Sequence, residues 1–157
     1  MMLPTNLIRL FAPPALIVVL LAGAIQAPQE AIGQAATSVT NIRVSFKLDP
    51  SITRGMYMGE RWVSPPTYTA AGEGKEITME ASAQGLDAKG KPIDISPEWI
   101  PEDPKMVAVS PGQGRQVKIT VREAGQSSLK VAAQGLSRKL LIKATYQDGA
   151  TQVEISQ

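Results

Sequence analysis

Apolar and polar side chains alternate with a period of two along most of this chain, and Gly or Pro interrupts the pattern at short intervals. Ile42, Val44, Phe46 and Leu48 alternate with Arg43, Ser45 and Lys47 until Asp49-Pro50, the pattern of a strand with one face buried. The same period returns at Ile77-Met79-Ala81-Ala83, Val107-Val109, Val117-Ile119-Val121, Leu129-Val131-Ala133 and Leu140-Ile142-Ala144. Between these runs lie turn signals at residues 85–90 (GLDAKG), 101–104 (PEDP), 111–114 (PGQG), 123–125 (EAG), at Gly135 and at Asp148-Gly149. Gly supplies positive φ and Pro fixes φ at a negative turn value, so each cluster reverses the chain by a known means. Six strands spaced this way, with no sustained helical period after residue 27, predict an all-β antiparallel sandwich or barrel.

Composition narrows the chemistry further. The 157 residues include no Cys and no His. That excludes a Cys/His zinc site, a disulfide, a thiol nucleophile and a Ser-His-Asp triad. Sixteen basic and fourteen acidic residues leave a formal net charge of +2, too balanced for the field that non-specific nucleic-acid binding requires. No phosphate-cradling loop is present either, since Gly112-Gln-Gly114 stands between strands and not before a helix. Asp87, Asp94, Glu98, Glu102 and Asp103 carry no Asp-x-Asp-x-Asp spacing, so no calcium loop is read there and nothing singles out a general-acid pair. The expectation is a non-enzymatic chain without metal or cofactor.

Residues 1–27 are read as a secretory signal. Arg9 precedes an apolar run from Ala15 to Ile25, and small residues follow, in the order of n-region, h-region and cleavage region. The run is about half the length of a bilayer-spanning helix. A permanent span is therefore the weaker reading, and cleavage after Ala24 or Ala27 is expected. Residues 28–40 are polar and small and are read as a flexible leader. The sandwich is assigned to residues 41–157, in the periplasm, at the cell surface or secreted.

The stretch from Lys75 to Thr145 resembles a bacterial immunoglobulin-like domain of the group 2 type, the module of intimin- and invasin-like adhesins. Ile77-Thr-Met-Glu-Ala81 matches its second strand, Asp87-Ala-Lys-Gly-Lys-Pro92 its D-x-x-G-x-P turn, and Trp99-Ile-Pro-Glu-Asp-Pro104 its W-x-S-x-D-P corner. Val107-Ala-Val-Ser110, Ala124-Gly125 and Leu129-Lys-Val131 match the strands that follow. The resemblance implies an Ig-like sandwich used as a spacer or adhesive unit, with no chemistry of its own. Residues 54–74 are read as an insertion into that pattern.

Three groups of residues bear on function. Trp99, near a Pro-rich corner, is read as the largest core side chain. Residues 54–68 concentrate Arg54, Tyr57, Arg61, Trp62 and Tyr68 in a chain with two Trp and three Tyr; these are types enriched at interface hot spots, although the rings would equally cap an open end of the sandwich. The stretch from Arg115 to Lys143 holds seven bases and one acid. Arg138, Lys139 and Lys143 there are read as a basic face for an anionic partner, the alternative being a solvated face neutralised by acidic strands nearby. The chain is expected to act as an interaction or structural module, the alternatives being a carbohydrate- or cell-wall-binding module or an accessory subunit of an extracellular assembly; its partner is expected to be a protein or a surface polysaccharide, not nucleic acid.

Overall fold

A computed structural model describes residues 38–48 and 61–157. The expected signal at 1–27, most of the leader, and the candidate residues Arg54 and Tyr57 lie outside the described residues. Among the described residues the regular structure is entirely strand, and no helix is long and apolar enough to cross a membrane.

Eleven strands follow in order: β1 (Asn41–Lys47), β2 (Trp62–Val63), β3 (Thr67–Glu73), β4 (Ile77–Leu86), β5 (Pro92–Ile93), β6 (Glu98–Pro101), β7 (Val107–Ser110), β8 (Gln116–Val121), β9 (Gly125–Ala133), β10 (Leu136–Gln147) and β11 (Ala150–Ser156). They form two antiparallel sheets. One runs β2-β1-β4-β8-β7, with β5 beside the end of β4, and the other runs β3-β11-β10-β9-β6. The alternating runs do what their period requires: Ile42, Val44 and Phe46 of β1, Ile119 and Val121 of β8, Leu129 and Val131 of β9, and Leu140 and Ile142 of β10 are all fully buried between the sheets. Burial of this apolar surface, worth about 25 cal/mol per Å², is the main stabilising term for a chain with no disulfide.

Two hairpins lock the register of the second sheet. Gln134-Gly135 joins β9 to β10 and Asp148-Gly149 joins β10 to β11, and all four residues have positive φ, between 50° and 81°. Two-residue loops of this kind match the right-handed twist of their flanking strands. Gly85 is required for a different reason: a Cβ there would stand 2.9 Å from Ile95 Cγ2 and 3.0 Å from Val39 Cγ2. Only a bare Cα lets the chain before β1 and the segment after β5 close over the end of β4.

That closure moves the leader boundary. Thr40 donates its backbone N–H (2.8 Å) and its hydroxyl (3.1 Å) to the Leu86 carbonyl, and Val39 packs against the core, so the sandwich begins before residue 41. Within the stretch 54–74, the described residues form two strands. Trp62–Val63 pairs with β1, and Thr67–Glu73 pairs with β11 over seven registered positions, so each completes an edge of a sheet. Beyond the six alternating runs, Thr151, Val153 and Ile155 alternate inward along β11, which separates β3 from β10. Gly125, read as part of a turn, opens β9.

Candidate functional site

β2 forms because the chain returns antiparallel to the end of β1: Leu48 donates its N–H to the Arg61 carbonyl at 2.9 Å, and the Ser64 hydroxyl donates to the Val44 carbonyl. The register sets Phe46 opposite Val63 and Lys47 opposite Trp62. Opposed residues share a face, so Val63 turns to the core and Trp62 to the outside. The same logic continues across the sheet through Glu80 of β4, Lys118 of β8 and Ser110 of β7. Trp62, Lys47, Glu80, Lys118 and Ser110 thus form one transverse row on the outer face.

Charges alternate along this row. Lys47 Nζ stands 3.0 Å from Glu80 Oε2, with side chains 29% and 42% exposed, so solvent screens the pair and it orders the surface more than it stabilises the fold. Beside the row lies a shallow depression of about 430 Å³ lined by Trp62, Glu80, Ser110, Pro111, Gln116, Val117 and Lys118. The half-buried Trp62 ring forms one wall. One aromatic face, two charges of opposite sign, an amide and a hydroxyl meet there, a combination able to hold a polar ligand by stacking and hydrogen bonds.

The remaining members of the aromatic segment part company. Arg61 is exposed and lies next to Trp62 in sequence. Tyr68 is 5% exposed and belongs to the core. Its ring stacks on Phe46 with centroids 4.5 Å apart and planes 16° from parallel, and its hydroxyl donates to the Lys47 carbonyl at 3.1 Å. The candidate role of Tyr68 in partner binding is therefore corrected: its position on β3 shares the face of Ala70, which points inward, and the ring closes the end of the sandwich beneath β1. Trp99 is buried as expected, at 3% exposure.

The basic face also divides. Arg138 shares its face of β10 with Leu140 and Ile142, and its Nη1 donates to the Ile42 carbonyl of the opposite sheet at 3.0 Å. Arg138 is a strap between the sheets, not a member of the outer face. Because hydrogen bonds from charged donors are worth about 1.5–3 kcal/mol when water is partly excluded, Arg138→Ala should lower the urea midpoint measurably, whereas Lys139→Ala should leave it unchanged within error. Lys139 and Lys143 do lie on the outer face of the five-stranded sheet, where Lys139 stands directly opposite Lys130. The acidic residues serve local structure. Asp87 Oδ1 accepts the N–H groups of Lys89 and Lys91, each at 2.8 Å; Asp94 pairs with Arg115 at 2.8 Å; Glu102 accepts the Ser128 hydroxyl; and Asp103 accepts the Lys105 N–H at 2.9 Å. Among the described residues no three His, Cys, Asp or Glu side chains converge to hold a metal ion.

Sequence reasoning named Trp62 but missed Glu80, Ser110 and Gln116. Their outward direction follows from strand alternation, yet nothing in the sequence places them beside Trp62, because five strands from distant parts of the chain build the row. Comparison with protein-family models, with curated proteins and with solved structures finds no match to this chain.

Proposed function

We propose that this chain is an exported, non-enzymatic Ig-like module that acts by binding, in the periplasm or at the cell surface, and that the outer face around Trp62 carries the contact. The observation behind this reading is the depression of about 430 Å³ with Trp62 on its wall and Glu80, Lys118, Ser110 and Gln116 around it. A Trp left half-exposed on a sheet face, next to fixed polar groups, offers rigid contact area at low ordering cost. The Ig-like assignment draws support from strand order: β1-β4-β8-β7 and β6-β9-β10 follow the A-B-E-D and C-F-G orders of that sandwich, with β11 and β3 added beyond. Export rests on the arrangement of residues 1–27, and the group 2 assignment rests on the turn and corner motifs between Asp87 and Ser110.

A protein partner is the first reading. The same ring beside hydroxyl, amide and carboxylate groups also suits stacking on a sugar, which keeps a surface polysaccharide as the second. Cosedimentation of the purified chain with envelopes of its own cells tests both. Trp62→Ala should weaken binding by more than about tenfold, the loss of one good anchor, while the melting temperature moves by no more than a few degrees. Protease treatment of the envelopes should abolish binding to a protein partner and leave binding to a polysaccharide intact. Unchanged cosedimentation of a folded Trp62→Ala variant would move the contact to another face.

A further inference from the structure

We propose that β3 is a self-association edge: two copies of this chain pair β3 to β3 antiparallel about a two-fold axis at Ala70, joining their five-stranded sheets into one. The inference concerns a different surface from Trp62 and does not depend on the binding role proposed for it.

The directions of the β3 backbone groups follow from bonds at both ends of the strand. Gln157 donates to the Pro66 carbonyl and Gly74 donates to the Gly149 carbonyl, so both flanking positions are hydrogen-bonded pairs. In an antiparallel ladder such pairs alternate with pairs whose N–H and C=O point the other way. Between Pro66 and Gly74 the register is continuous. It follows that Tyr68, Ala70 and Gly72 bond to β11, and that Thr67, Thr69, Ala71 and Glu73 turn their N–H and C=O groups to the open side. Among the described residues no hydrogen bond reaches those outward groups.

The edge at the other end of this sheet is treated differently. There the turn between β7 and β8 folds over β6: Trp99 donates its N–H to the Gly112 carbonyl at 2.8 Å, and Gly114 donates to the Pro97 carbonyl at 2.9 Å. The edges of the other sheet are short, with two residues in β2 and four in β7. Edge strands that must stay single carry Lys, Pro or a bulge. β3 has seven residues, TYTAAGE, with no Lys, Arg or Pro among them and an unbroken register.

A second copy fits this edge by its own symmetry. With the axis at Ala70, Thr69 meets the other copy's Ala71 and Thr67 meets its Glu73, so every outward group faces an outward group. On the inner side Ala70 meets Ala70 and the Tyr68 ring lies opposite Gly72, leaving no bulky pair in opposition. On the outer side the strand's one charge, Glu73, meets the neutral Thr67, so the pairing brings no like charges together. The small residues at 70–72 let the two sandwiches approach closely.

Sedimentation equilibrium over a concentration series, on the chain purified as its own cells process it, is the first test; the expected result is a reversible monomer–dimer equilibrium. Ala71→Pro removes an outward N–H that β11 does not use and should weaken the dimer by at least about tenfold. Thr69→Lys/Ala71→Lys keeps the backbone and sets lysines opposite each other, so it should be monomeric alone. Mixing it with Thr69→Glu/Ala71→Glu should restore the dimer, because the charges then meet as pairs; this arm decides the question if the proline variant fails to fold. A wild-type chain that is monomeric throughout, a dimer that survives either disruption in a folded variant, or a failure of the mixed variants to pair would each overturn the proposal.

Discussion

Trp99→Ala is expected to lower the stability of this domain by about 3–5 kcal/mol, the cost of truncating a buried ring in a close-packed core. Two effects add at this position. The ring fills space between the sheets at 3% exposure, and its Nε1 donates to the Gly114 carbonyl at 2.9 Å. The same turn receives the Trp99 backbone N–H at Gly112, so the indole holds the loop that closes the β6 edge. For a domain of this size the loss corresponds to a fall in melting temperature of roughly 10–20 °C, from a total stability of about 5–15 kcal/mol with no disulfide in reserve. Trp99→Phe should separate the two effects. It keeps an aromatic ring but leaves the Gly114 carbonyl without its donor, and should cost about 1–3 kcal/mol. A cooperatively melting Trp99→Ala protein with an unshifted midpoint would contradict the place of this residue in the core.

Tyr68→Ala should be of similar severity, about 3–5 kcal/mol by the same cavity argument. Phe46 is completely buried and its ring stacks on Tyr68, so removing one ring strips contacts from the other. Offset stacking of this kind adds about 0.5–1.5 kcal/mol beyond the area buried. Tyr68→Phe keeps the stack and loses the bond from the hydroxyl to the Lys47 carbonyl, for which about 0.5–1.5 kcal/mol is expected. Chemical denaturation of the two variants measures the ratio. Set beside Trp62→Ala, which should leave the midpoint nearly unmoved, the pair distinguishes two aromatic residues six positions apart that composition alone treats as one cluster. Equal destabilisation by Trp62→Ala and Tyr68→Ala would mean that both rings close the sandwich.

The two behave differently because of which sheet each edge strand joins. Trp62 sits in a two-residue strand opposite Lys47, on the outer side of β1, while Tyr68 sits opposite Ile155, on the inner side of β11. Pro65-Pro66 lies between them, and the chain passes there from one sheet to the other. A local pattern reports which residues share a side of one strand. It does not report which sheet the strand enters, so the inward and outward members of this segment could not be sorted before the pairing was known.

Arg138 shows the same limit on the other sheet. Its neighbours Leu140 and Ile142 share its parity and point inward, which placed its stem on the apolar side from the alternation alone. Reading it with Lys139 and Lys143 as one basic face gave charge precedence over parity. The partner that makes an inward Arg tolerable is the Ile42 carbonyl, 96 positions away in sequence, and no local signal announces it.

What the sequence by itself determined is the all-β class, the inward residues of six strands, the turns that separate them, the burial of Trp99 and the absence of thiol and imidazole chemistry. Period-two alternation and Gly/Pro punctuation are local, so they are legible in single segments. Only the tertiary structure decided the rest: that β3 and β11 extend the second sheet, that Val39 and Thr40 belong to the sandwich, that Tyr68 is core, and that Trp62, Glu80, Lys118 and Ser110 meet on one face. Each of these depends on hydrogen-bond register between strands far apart in the chain. Register is set by the summed packing of both sheets, and one shifted residue would exchange every inward side chain for an outward one.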